Sequence, residues 1–181
     1  MKKYFFFFLI MLTVCLSCYS QLYTTKNGFI SFFSKAPLED IKAENNQGYA
    51  IIDAGKKNLA FSLLMKGFIF QKELMQEHFN ENYVESDKYT KAVFTGTYTG
   101  DVTLSKDGIY KVIVKGNLTL HNVTKNIEMP ATIEVKAGRL LGHAEFILKP
   151  EDYNISIPSV VRDHIAKEIT VTVQVDCKPT N

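Results

Sequence analysis

The sequence predicts an all-β fold: eight antiparallel strands with one helix laid over them. Three observations carry this reading. Most of the chain alternates apolar and polar residues with a period of two, the mark of strands with one buried and one wet face. Turn signals at Asp53-Ala54-Gly55, Lys106-Asp107-Gly108 and Lys136-Ala137-Gly138 separate the alternating runs. One stretch, Phe70 to Glu85, breaks the alternation with helical spacing instead.

The chain has 181 residues, 46% of them hydrophobic and 22% charged. That is ordinary for one globular domain with its own core. Lys and Arg number 21 against 19 Asp and Glu, and the signs balance once Lys2 and Lys3 are set aside. The balance excludes the basic surplus a nucleic-acid binder needs to pair with phosphates. No apolar run reaches the roughly 18 residues of a membrane-spanning helix.

Met1-Lys2-Lys3, the apolar run Tyr4 to Leu16 and the small residues that follow have the layout of a secretory leader. Cys18 and Ser20 stand at −3 and −1 of a cut before Gln21, which leaves a domain of residues 21–181 in the periplasm or outside the cell. An uncleaved anchor would need a longer apolar run. Lipidation at Cys18 or Cys15 is the other alternative, but neither preceding triplet, Cys15-Leu16-Ser17 or Leu12-Thr13-Val14, fits it well. Cys177 then remains as a lone thiol, so no internal disulfide is expected and the core must hold the fold.

Strands are expected at Gly28–Ser34, Gln47–Asp53, Asn58–Lys66, Lys91–Thr99, Ile109–His121, Ile127–Lys136, Arg139–Lys149 and Lys167–Asp176. Alternation turns Phe61, Leu63 and Met65 inward from the third, and Phe94 and Tyr98 from the fourth. Val112, Leu118 and Leu120 follow from the fifth, Phe146 from the seventh and Val173 from the last. Ala137-Gly138 predicts a tight hairpin. A helix is expected over Gln71–Asn80, with Leu74, Met75, His78 and Phe79 on one face and Glu73, Glu77 and Glu81 on the wet side. A second helical turn is expected at Ser159–Ala166, after Pro158. Strand count leaves a sandwich and a barrel open, and eight strands can close around one small ligand.

Gly116-Asn117-Leu118-Thr119-Leu120-His121-Asn122-Val123-Thr124-Lys125 resembles the signature hairpin of the YceI-like family, Gly-Asp-Leu-Thr-Ile-His-Gly-Val-Thr-Lys. Phe68–Phe94 is similar to that family's helix and strand entry, and Glu151–Pro158 with Ile165-Ala166-Lys167 to its late loop and last strand. The resemblance covers nearly all of the chain after the leader. It implies a lipocalin-like antiparallel barrel, covered by a helix at one end, whose apolar tunnel holds a polyisoprenoid or other long-chain lipid. Asn117 and Asn122 replace the family's acid and glycine, and Thr90 stands where proline is frequent. The Arg-Asp-x-His-Leu-Arg stretch before the helix is missing. Asn tolerates the left-handed backbone that such a turn requires.

On this reading the inward residues Phe61, Leu63, Met65, Phe94, Tyr98, Val112, Leu118, Leu120, Phe146 and Val173 line the tunnel, with Phe68, Phe70 and Phe79 from the helical cover. Tyr83, Tyr153, Asn154 and Arg162 are candidates for a lipid headgroup. The same apolar faces would serve equally well as a plain packed core. The four histidines have no metal-ligand spacing, and no hydrolase elbow or phosphate loop occurs. The expected protein is therefore a lipid carrier without catalysis, metal or cofactor, acting as a monomer or homodimer. A ligand-free envelope barrel is the alternative.

Overall fold

The computed structural model describes residues 21–161 and 163–180. The leader and Arg162 lie outside the described residues. Nine strands form one antiparallel sheet: β1 (Leu22–Lys35), β2 (Asp40–Asp53), β3 (Asn58–Leu64), β4 (Ile69–Phe70), β5 (Lys91–Thr99), β6 (Gly108–Leu120), β7 (Val123–Lys136), β8 (Arg139–Leu148) and β9 (Ile169–Pro179). The order is β1-β9-β8-β7-β6-β5-β3-β2, and β2 pairs back onto β1, so eight strands close a barrel. β4 is a two-residue addition to β2 at Ala43 and Glu44. Closure removes the two free edges that a sandwich would keep.

β1 and β2 begin earlier than the alternation predicts because each contains a bend that breaks the period. Gly28 faces Gly48 across the pair, and the register shifts on both sides of Gly28. The Phe61 ring lies over both glycines: a Cβ would meet it at 2.9 Å on Gly28 and 2.5 Å on Gly48. A bulged, side-chain-free crossing lets two long strands coil around the barrel while a ring fills the inside of the bend. Beyond it, Asn45 is fully buried, with Nδ2 donating to the Leu64 carbonyl (3.0 Å) and Oδ1 accepting from the Gln47 N–H (2.8 Å). Burial of an amide without such partners would be costly.

The hairpin β6–β7 turns through His121 and Asn122, both with positive φ (50° and 60°), and β7–β8 through Ala137 and Gly138 (49° and 73°). Both are two-residue turns of the kind that matches strand twist. The His121 ring leaves its turn: Nδ1 lies 3.0 Å from the Tyr153 carbonyl oxygen, Nε2 lies 3.0 Å from Glu85 Oε2, and Tyr89 meets the ring edge-on at 4.1 Å. One side chain thus ties the hairpin to two loops.

The covering helix α1 spans Glu73–His78 and continues as a wide π turn through Phe79–Tyr83, so the helical segment starts and ends later than the expected Gln71–Asn80. Lys72 stands at its N-terminus with extended backbone and no side-chain cap, which delays the start. Leu74, expected inward, is exposed. The turn after Pro158 is a short 3₁₀ turn, Ser159–Val161. No helix among the described residues is long and apolar enough to cross a membrane.

Candidate functional site

Inside the barrel, side chains divide into two groups along its length. At one end Tyr98, Val112, Val135, Leu140 and Cys177 form a closed core. At the other, Leu63, Met65, Phe68, Val84, Leu120, Leu148, Ile155 and Val171 surround open space. That space is a cavity of about 380 Å³, floored by the barrel and roofed by α1 and the 155–165 segment. A smaller chamber of about 140 Å³ continues it toward the closed end. The two share Ile30, Leu63, Ala92, Leu118 and Phe146 as walls, so they adjoin as consecutive apolar chambers.

The volume decides between core and tunnel. A water molecule occupies about 30 Å³, and voids much larger than that are rare in packed interiors. The opening is sized for a ligand, which pockets of about 300–1,000 Å³ accommodate.

Aromatic rings shape the upper chamber. Phe32, Phe68, Phe70 and Phe79 pack mutually at centroid distances of 5.0 to 5.8 Å, mostly edge-on or tilted. Four separate elements supply them: β1, the end of the 3₁₀ turn Met65–Gly67, β4, and the π turn. Phe68 and Phe70 therefore come from beside the helix and not from it.

Of the residues read as tunnel lining, Met65, Phe68, Phe70, Phe79 and Leu120 face the larger chamber. Phe61, Phe94 and Val173 face the smaller, and Leu63, Leu118 and Phe146 face both. Tyr98 and Val112 face neither; both are 3% exposed within the closed core. Alternation gives a side chain's face of the sheet but not its height along the barrel, and these two lie too near the closed end. Ile30 and Phe32 of β1 are lining residues missing from the sequence reading, although the alternation of Gly28–Ser34 contains them. Val161, His164 and Ile165 reach the cavity from a loop with no periodic signal.

The four headgroup candidates separate. Tyr83 lines the larger chamber, and burial raises the pKa of its hydroxyl. Tyr153 is buried on the outer side of the wall, its phenol pushed up to about 12 chiefly by burial, with Asp152 adding to the shift. Asn154 is exposed in left-handed backbone (φ 56°), where it ends the 3₁₀ turn Pro150–Tyr153. Arg162 is outside the described residues.

Polar groups reach the larger chamber at Ser34, Glu39, His78, Tyr83 and His164. Ser34 Oγ is committed, accepting the Ala166 N–H at 2.9 Å. Glu39 pairs with Lys72, which holds its carboxyl below the usual range, and lies 3.8 Å from His164 Nδ1. Among the described residues, no three His, Cys, Asp or Glu side chains converge as a metal site would require. Cys177 is fully buried, and burial pushes its thiol up to about 12. A thiol so shielded is a poor nucleophile.

Comparison with known proteins places this geometry. The fold is similar to a polyisoprenoid-binding domain from Saccharophagus degradans, with 14% identity and a TM-score of 0.76 over 88% of this chain and 99% of that one. It is also similar to BcnA of Burkholderia cenocepacia, with 14% identity and a TM-score of 0.68 over 82% of this chain and 95% of that one. The YceI protein of Campylobacter jejuni, at 16% identity, gives a TM-score of 0.62 over 80% of this chain and 88% of that one. No curated protein matches by sequence. The family model of the YceI-like domain matches residues 25–177, and the chain belongs to that family.

Proposed function

We propose that this protein binds a polyisoprenoid or similar long-chain lipid, seats its chain in the apolar path, and stores, carries or sequesters it outside the cytoplasm without chemical change. The cavity of about 380 Å³, walled by Phe, Leu, Ile and Met and continued by the second chamber, carries the reading. A flexible chain gains about 0.8 kcal/mol per buried CH₂, and its methylenes need no polar partner along the way. Rigid rings provide walls, while Met65 and Met75 adapt to an irregular chain. The structural relative named for polyisoprenoid binding supports the same class of ligand. The layout of residues 1–20 supports export and cleavage before Gln21.

Catalysis has no evident means in the cavity. Its serine is already hydrogen-bonded, its carboxylate is ion-paired, and apart from His78, Tyr83 and His164 its walls are hydrocarbon. Lipid extracted from natively purified protein and analysed by mass spectrometry tests the proposal, beside a sample unfolded and refolded without lipid. A stoichiometric long-chain species in the native sample alone is the expected result. A native protein devoid of lipid that also refuses added prenols would favour a ligand-free envelope barrel.

A further inference from the structure

β7 and β8 are joined by a two-residue turn yet zipped along only part of their length. Their ladder runs from Lys136↔Arg139 to Ala131↔Ala144 and stops, although β7 continues back to Val123 and β8 on to Leu148. The other sides of both strands are fully paired, β7 to β6 and β8 to β9. Pro130 explains the stop. In a two-residue hairpin the pair flanking the turn is hydrogen-bonded, and bonded pairs then alternate with non-bonded ones. Residues 136, 134 and 132 therefore bond to β8, and the next position is 130. Proline has no N–H, so the Glu145 carbonyl loses its donor and the strands part.

The same alternation turns the main-chain groups of Asn126, Glu128 and Ile147 into the gap. Among the described residues, no protein group bonds them there. A groove of about 660 Å³ fills the gap on the outside. Its floor is the wall of the lipid path: Phe146 and Leu148 face both the groove and the larger chamber, and Ile127, Met129 and Phe146 face both the groove and the smaller one. Here only side chains stand between the cavity and solvent.

We propose that this slit is a lateral portal, through which the hydrocarbon chain of a lipid enters and leaves the barrel sideways. The inference rests on the lipid-binding reading and adds a route to it. Four apolar side chains that touch both spaces would swing aside, and the strand edges would stay hydrated throughout.

Release kinetics test it. Protein loaded with cis-parinaric acid, a long-chain polyene that fluoresces in apolar surroundings, is mixed with excess phosphatidylcholine vesicles and the loss of signal is followed. Pro130→Val restores the missing N–H and lets the ladder extend past Ala131. Two more bonds must then break before the slit parts, so release slows by roughly tenfold. A second pair of variants does not depend on that repair. Glu128→Cys labelled with a bulky maleimide plugs the groove, whereas Leu74→Cys labelled in the same way crowds the covering helix. Cys177 is fully buried and does not compete for the label. Slower release from the labelled Glu128 variant, with the labelled Leu74 variant unchanged, supports the portal. Unchanged release in both P130V and the labelled Glu128 variant overturns it, as does slowing by the Leu74 label alone. A wild-type protein that takes up no polyene defeats the lipid-binding reading itself, and the portal with it.

Discussion

The two ends of the barrel are built from the same kinds of side chain and differ in what lies between them. At the closed end, Leu140 and Cys177 are 1% and 0% exposed and meet neighbours on every side. At the cavity end, Leu63, Phe68 and Leu120 are also buried from solvent, but one flank of each faces open space. The closed end supplies stability and the cavity end supplies room. Burial alone does not tell them apart; what does is whether facing side chains meet.

The sharpest way to break this comparison is truncation. Leu140→Ala should cost about 3 kcal/mol in chemical denaturation, since it leaves a hole that cannot collapse, while bound lipid stays at its wild-type level. Phe79→Ala should cost less than half as much, because its ring already borders empty space, and should lower lipid retention. Equal costs at both positions would mean that the two ends are packed alike.

Insertion reverses the order. Val135→Phe adds volume to the closed end and should destabilise by about 1–3 kcal/mol. Ala92→Leu adds a comparable volume where both chambers meet and should cost under about 1 kcal/mol. Thermal melts of the two variants make the comparison.

A smaller effect appears in alkali, and both ends share it. Cys177 at the closed end and Tyr153 beside the cavity end both have pKa values raised to about 12, from ordinary values of 9.0 and 10.0. The unfolded chain ionises first, so their contribution to stability is intact below about pH 9 and is lost as pH rises toward 12. The urea midpoint should fall across that window, and Cys177→Ala should flatten the lower part of the fall. The smallest effect belongs to the outer face: breaking the exposed Lys42–Glu44 pair (2.6 Å) with Lys42→Ala should leave the melting midpoint unmoved.

Much of this architecture was legible in the residues. All eight of the alternating runs lie largely within observed strands because each buries one face, and Ala137-Gly138 and Asn122 mark the turns they make. The family hairpin identified the barrel where strand count left a sandwich open. Three things were not legible, each for a physical reason. The starts of β1 and β2 were hidden because the Gly28–Gly48 crossing interrupts the period. The role of His121 was hidden because its partners, Glu85 and the Tyr153 carbonyl, lie 36 and 32 residues away. The division between filled and open halves was hidden because alternation reports facing but not depth. Tyr98 and Phe94 sit four residues apart on the same face of β5, and only Phe94 borders a chamber.

Native mass spectrometry of intact wild-type protein beside Ala92→Phe tests the central claim most directly. Ala92 belongs to the walls of both chambers, and a ring there obstructs the path at its junction. Wild-type protein carrying a long-chain adduct that the folded variant lacks is the predicted result. Wild-type protein without an adduct even after exposure to prenols, or a variant loaded to the same degree, would contradict a lipid seated in the barrel.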